Sequence, residues 1–175
     1  ASFGSDLVLI ANGSGEEERG GPPSDWVKQA LTEEDYKAIQ ALPWVAAVNP
    51  SVITTDLVSY GGVDRFASVN GSSQDEALIF NLEVEEGRFL EQADLDSRAR
   101  VVVLGKDVAT GMFGQEDPLG KSIRFNRRTF RVIGVLKPAG TRFFSNVDDQ
   151  VYIPYSTFFD AYNKNRLNFI AAKTG

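Results

Sequence analysis

Residues 114–136 read "GQEDPLGKSIRFNRRTFRVIGVL", and the fold turns on the residues after the Gly-Lys-Ser at 120–122. A phosphate-binding loop has the spacing G-x-x-x-x-G-K-[ST]: a tight turn of backbone N–H groups wraps the phosphates, and a helix comes next. Here the position of the required first glycine is Gln115, and Gly114 lies one residue too early. After Ser122 the chain alternates instead of repeating with a helical period. Ile123 and Phe125 flank Arg124, and Phe130 and Val132 flank Arg131. A period of two is a strand signal. The polar interruption at Asn126–Arg128 makes the stretch a β-hairpin with Lys121 at its entry. Asp117-Pro118-Leu119-Gly120 forms the tight turn before it, since Pro fixes φ near the bend and Gly admits positive φ.

Working outward, "RVVVLG" (100–105) is a buried-type strand, and "KDVATGMFG" (106–114) is a short helix with Val108 and Phe113 apolar. An acidic loop through Asp96 precedes them. Beyond the hairpin come a loop, "KPAGTRFFSNVDD" (137–149), then a strand to Pro154, a short helix capped by Ser156, and a further strand in "RLNFIAAKTG" (166–175). Toward the N-terminus, "DLVLI" (6–10) is a strand and "ANGSGEEERGGPPSD" (11–25) is too rich in Gly, Pro, Ser and acid for regular structure, which predicts a mobile surface loop. "LTEEDYKAIQALPWV" (31–45) starts a helix at Thr32, with Asp35 three residues on as in a capping box and Leu31 against Tyr36 as a staple. Tyr36, Ile39 and Leu42 make its apolar stripe, and Pro43 ends it. "VAAVNPSVITTDLVSYGG" (45–62) is β-type with an edge or break at Pro50. It pairs through Gly61-Gly62 with "DRFASVNGSS" (64–73), which turns at Asn70-Gly71.

A chain of 175 residues is one domain or two small ones, able to bury roughly 70% of its unfolded surface without disulfides or metals. The net charge of −6 argues against a nucleic-acid binder, although Arg124, Arg127, Arg128 and Arg131 make a local basic patch. There is no cysteine and no histidine. Disulfides, thiolate chemistry and Ser-His-Asp or Cys-His devices are thereby excluded from this chain, as are the commonest metal ligands. No apolar run approaches the roughly 20 residues of a membrane-spanning helix. The opening "ASFGSDLVLI" carries no signal peptide and no starting Met, and reads as the start of a processed or excised segment.

Side-chain pairs that invite a sharper reading have bland ones beside them. Asp148 and Asp149 seed a divalent-cation site or cap a strand, and neighbouring strand residues point to opposite faces. Glu91, Asp94 and Asp96 resemble part of a calcium loop, but the glycine and terminal glutamate are missing, which leaves a solvated acidic turn. Of Phe143 and Phe144, one is core and the other an exposed anchor for a partner; Trp26 has the same standing. Arg127 and Arg128, at a hairpin tip, are a solvated turn or a contact with an acidic partner or lipid headgroups. No residue is assigned to catalysis, a cofactor or a metal.

The order of motifs resembles the extracytoplasmic domain of MacB-type (FtsX-like) ABC transporter permeases. "GRFLEQAD", "RVVVLGKDVATGMFGQEDPLGKSIRFNRRTFRVIGVL" and "DDQVYIPYSTF" carry the resemblance over about 87–158. It implies an α+β fold in two subdomains. One is a porter-like α/β layer from residues 1–78 and 166–175, with its C-terminal part missing. The other is an inserted β-rich subdomain from 79–165. It implies a non-enzymatic domain on the periplasmic side of the inner membrane. That domain would transmit ATP-driven conformational change through a permease dimer, with ATP hydrolysed in a separate cytoplasmic domain and a periplasmic adaptor protein as a further partner. The alternatives are a ligand- or lipoprotein-binding module of a related permease, favoured by a sizeable pocket between the subdomains, and a carboxylate-dependent hydrolase, which needs two acids converging in one cleft.

Overall fold

The computed structural model describes residues 7–11, 31–142 and 145–175. Strand β1 (Leu7–Ala11) is followed by helix α1 (Glu33–Gln40), the long strand β2 (Val45–Tyr60) and β3 (Val63–Ser72). Then come α2 (Asp75–Ile79), β4 (Val84–Gly87), α3 (Gln92–Ser97), β5 (Val101–Leu104) and α4 (Lys106–Phe113). The hairpin β6 (Ser122–Phe125) and β7 (Arg128–Leu136) leads to two short strands, β8 (Thr141–Arg142) and β9 (Ser145–Asn146). A 3₁₀ turn (Val147–Asp149), β10 (Gln150–Pro154), α5 (Tyr155–Tyr162) and β11 (Phe169–Thr174) complete the described chain. The fold class is α+β.

Two sheets share β2. Its first half pairs antiparallel with β11, from Val45 opposite Thr174 to Ser51 opposite Phe169, and β11 pairs in turn with β1. Its second half, Val52 to Tyr60, pairs with β3. Pro50 therefore sits just before the strand exchanges one neighbour for another, where a missing N–H costs no ladder bond to β3. From β3 the second sheet runs through β10, β5 and β7. The hairpin strand β6 then pairs both with β7 and, through Ser59 opposite Arg124, with β2. That last bridge closes six strands into a ring, β2–β3–β10–β5–β7–β6, and removes the free edges of the hairpin.

The alternation in the sequence decides which side chains fill the interior. Ile123, Phe125, Phe130 and Val132 join Val58, Val69, Val102, Leu104, Val151 and Ile153 in one buried cluster, with Phe125 stacked on Phe130 at 4.0 Å. Strands β5 and β10 are buried on both faces: Val101, Val103 and Tyr152 belong to a second cluster with Leu82, Leu90, Leu136 and Val147. Helix α1 begins as expected. Thr32 Oγ1 accepts from the Asp35 amide at 3.2 Å, Asp35 Oδ2 accepts from the Thr32 amide at 2.9 Å, and Leu31 and Tyr36 enter the first cluster.

Several local expectations are corrected. The glycine of Asn70-Gly71 does not turn the chain; β3 runs through it to Ser72. A Cβ at Gly71 would come within 2.7 Å of Phe158 Cβ, so this glycine admits the close approach of α5. The acidic stretch before Asp96 is helix α3, with Glu91 and Asp94 forming its capping box. Ser156 does not cap α5: Pro154 occupies that position, and Ser156 Oγ donates to the Leu95 carbonyl at 2.6 Å. The turn before the hairpin is shifted by one residue. The Lys121 amide donates to the Pro118 carbonyl at 3.1 Å, and Gly120 carries φ +80° at the third turn position. Lys121 Nζ donates to the Asp117 carbonyl at 2.9 Å, and Ser122 starts a strand. Trp26, Phe143, Phe144, most of the 11–25 stretch and the first residue of "DLVLI" lie outside the described residues.

Candidate functional site

Two places among the described residues stand out: the outward face of the hairpin strands, and a cavity beneath α2.

The ladder places Leu57 directly opposite Phe66, Ser59 opposite both Asp64 and Arg124, and Arg124 opposite Thr129, so all six share the outer face of the ring. Phe66 is 71% exposed and Leu57 38% exposed. Arg124 Nη1 donates to Thr129 Oγ1 at 3.0 Å. At the tip, Asn126 and Arg127 form a two-residue turn with φ of 52° and 61°. Both angles are positive, as a type I′ hairpin requires, and glycine is the residue usually preferred at the second position. Arg127 is exposed and Arg128 half-buried. Arg128 Nη1 reaches the carbonyls of Asn126 and Ala161, at 3.5 and 3.4 Å. Phe66 is the residue the sequence reading missed. The signal was present in the alternation, because Ala67 and Val69 are buried and Phe66 must then face the other way. Trp44, 55% exposed at the α1–β2 turn, was missed as well.

The acidic residues singled out in the sequence do not converge on an ion site; Glu91 and Asp94 meet only as the capping box of α3. Arg88 grips Asp94 with both guanidinium nitrogens, Nη1 to Oδ2 at 2.8 Å and Nη2 to Oδ1 at 3.1 Å. Burial alone would raise the Asp94 carboxyl, but Arg88 and the Glu91 amide hold it below its ordinary value. Asp94 is therefore a buried structural anion and not a solvated turn. Asp148 accepts from the amides of Ala139 and Gly140, while Asp149 Oδ1 accepts from Arg65 Nη2 at 2.6 Å. Among the described residues no cluster of acids is arranged to hold a metal ion.

The cavity, about 190 Å³, lies against the sheet face where β1, β11, β2, β3 and β10 run side by side, under α2 and the β8–β9 hairpin. Leu9, Phe80, Tyr152 and Phe169 give it apolar walls, and Glu76 and Arg142 also line it. Glu76 is buried, and Asn49 Nδ2 donates to its Oε1 at 2.6 Å. Asn49 is itself fixed, since its Oδ1 accepts from both the amide and the hydroxyl of Ser73 at 2.9 Å. Burial raises the Glu76 carboxyl to about 7, against the lowering effect of the Asn49 bond. Arg142 does not pair with it: its guanidinium donates to the carbonyls of Phe80, Ala139 and Thr141. A second polar string on the same wall runs from Ser51 Oγ to Asn70 Oδ1 at 3.2 Å and from Asn70 Nδ2 to Gln150 Oε1 at 3.4 Å.

These features define a class: a mixed α+β module with no membrane-crossing helix among its described residues, carrying an exposed amphipathic face. Residues 1–175 match the MacB-like periplasmic core domain family, and the chain belongs to that family. It is 35% identical over 158 residues to the macrolide export ATP-binding/permease protein MacB of Marinobacter nauticus, covering 90% of this chain and 24% of that protein. The chain thus spans about a quarter of the length of that relative. Among solved structures it resembles the periplasmic region of MacB from Actinobacillus actinomycetemcomitans, with TM-score 0.82 and 28% identity over 98% of this chain and 76% of that one. It also resembles the extracellular domain of the noncanonic ABC-type transporter YknZ from Gram-positive bacteria, with TM-score 0.79 and 25% identity over 97% and 83% of the two chains.

Proposed function

We propose that the chain is the periplasmic part of an inner-membrane ABC exporter. In this reading it carries ATP-driven motion outward through a permease dimer and contacts an adaptor protein, while ATP hydrolysis resides in a separate cytoplasmic domain and no nucleic acid is involved. In this reading the porter-like layer (1–78 and 166–175) and the insert (79–165) are two packed parts, and motion passes between them through the β3–β10 ladder and the β2–β6 bridge that join them. Two links from α5 of the insert to the porter-like layer favour transmission. Tyr155 Oη donates to Glu33 Oε2 at 2.7 Å, and Tyr162 Oη donates to Asp56 Oδ2 at 2.7 Å.

The observation that carries the partner contact is the outer face of the ring. An aromatic side chain 71% exposed, beside Leu57 and the Arg124–Arg127 edge, has the make-up of an interface anchor with a charged rim. Arg127 and Arg128 supply the cationic edge, and Trp26, Phe143 and Phe144 are further anchors. The test is co-purification of the full-length transporter with its adaptor. Phe66→Ser combined with Arg127→Glu abolishes the association while ATPase activity in detergent is retained; an unchanged association overturns the reading.

The ligand-binding alternative draws support from the cavity. That cavity does not favour the hydrolase alternative: among the described residues Glu76 is the only acid lining it, and its neighbour Asp75 turns instead to the Val48 amide, 3.0 Å away.

A further inference from the structure

A carboxyl group sealed beneath a helix with one neutral donor is a costly way to fill a core. A buried acid without a cation forfeits most of its hydration. Among the described residues no Lys or Arg pairs with Glu76, and the one cation on the cavity rim, Arg142, is held by backbone carbonyls. Asn49 is locked by Ser73 and presents a single N–H to Oε1. The rest of the lining is mainly hydrocarbon: Leu9, Ile53, Phe80, Phe169 and Ala171. An apolar chamber whose wall carries one carboxyl with no described cationic partner, and one cation already engaged by backbone carbonyls, selects for a molecule that brings a positive charge to that carboxyl.

Size narrows the class. A cavity of 150 Å³ accommodates a benzene ring, so 190 Å³ takes a ring or short branched chain with a two- or three-atom tail. We propose that this cavity binds a small amphipathic amine, its ammonium group seated on the Glu76 carboxylate and its apolar body between Phe80, Phe169 and Leu9. The ammonium supplies a countercharge that no described Lys or Arg gives Glu76, and its departure leaves the carboxyl with Asn49 as its described hydrogen-bond partner. This site lies on the opposite side of β2 from Val48 and Val52, and Leu57 and Phe66 do not line it, so it stands or falls independently of the partner contact. The raised affinity of Glu76 for its proton agrees with the same placement.

The test is calorimetric titration of the chain with 2-phenylethylamine, 2-phenylethanol and 3-phenylpropionate, which share a ring and a two-methylene tail and differ in the head group and its charge. The amine is expected to bind one per chain, about tenfold or more tighter than the alcohol, because a hydrogen bond to a charged group outweighs a neutral one. The carboxylate is expected not to bind. Glu76→Gln keeps the shape and the Asn49 bond, and is expected to bring the amine down to the affinity of the alcohol. Equal affinity for amine and alcohol in the unaltered chain overturns the proposal whatever the variant does. So does an amine affinity unchanged in Glu76→Gln, or the lack of saturable amine binding up to about 10 mM.

Discussion

Gly87 and Gly134 face each other as direct partners across the β4–β7 ladder, and neither has room for a Cβ. A Cβ at Gly134 would lie 2.1 Å from the Arg88 carbonyl oxygen, and one at Gly87, where φ is +76°, would lie 2.1 Å from the Ile133 carbonyl oxygen. The obstacle is backbone in both cases, so no rotamer change relieves it. Gly134→Ala is expected to cost about 3 kcal/mol or more, the upper end for overpacked sites. Gly62→Ala, at a turn where a Cβ meets nothing within 4 Å, is expected to cost only the left-handed backbone penalty of about 1 kcal/mol. Urea midpoints of the two variants that coincide would contradict this account.

Stability should fall as pH rises through weakly acidic values, because of Glu76. Its folded carboxyl titrates at about 7, against 4.5 for an ordinary glutamate. Below 4.5 both states are protonated; between 4.5 and 7 the unfolded chain gives up its proton first, and each step in pH favours unfolding. The accumulated loss by neutral pH is on the order of 3 kcal/mol. Glu76→Gln should flatten this limb of the pH profile and equal or exceed the unaltered chain in stability at pH 7. Chemical denaturation at a series of pH values measures it.

Asp94 acts with the opposite sign. Its folded pKa lies below 3.8, so its contribution is complete above that value and disappears as pH falls through the folded pKa. Asp94→Asn keeps the volume but forfeits the charge that Arg88 pairs with and that caps α3. A loss of about 2 kcal/mol at pH 7 is expected, shrinking toward pH 2. Equal losses at both pH values would show that the charge is irrelevant.

Arg127 occupies a left-handed turn position at φ 61°, where glycine is the relaxed choice. Arg127→Gly should therefore be neutral or stabilising, by up to about 1 kcal/mol. In the full transporter the same change should weaken adaptor association. Stability and binding moving in opposite directions is the expected signature of a residue held for contact; movement in the same direction argues for a purely structural role.

Much of the fold was legible where period-two alternation was clean. Ile123, Phe125, Phe130 and Val132 announced the hairpin, and Thr32 with Asp35 announced α1. Several misses share a cause: a local rule overridden by a partner that the local pattern does not reveal. Gly71 looked like a turn because nothing nearby in sequence shows that α5 must press against it. Asp94 looked solvated because its carboxylate is claimed by Arg88, across a segment with little helical periodicity. Ring closure was invisible, since it depends on one contact between Ser59 and Arg124, 65 residues apart in sequence. The Glu76 cavity was equally hidden, because "DEALIF" carries no hint that its second residue points under the helix. Phe66 could have been placed outside from its alternation with Ala67 and Val69.

The sixteen-residue strand β2 has a mechanical consequence. At about 3.3 Å per residue it is a single extended rod roughly 50 Å long, bonded to β11 along one half and to β3 along the other. A pull along its axis loads both ladders in shear, so many hydrogen bonds resist together. A sideways pull at either end unzips them one after another. Stiffness lengthwise and compliance crosswise are thus written into one stretch of backbone.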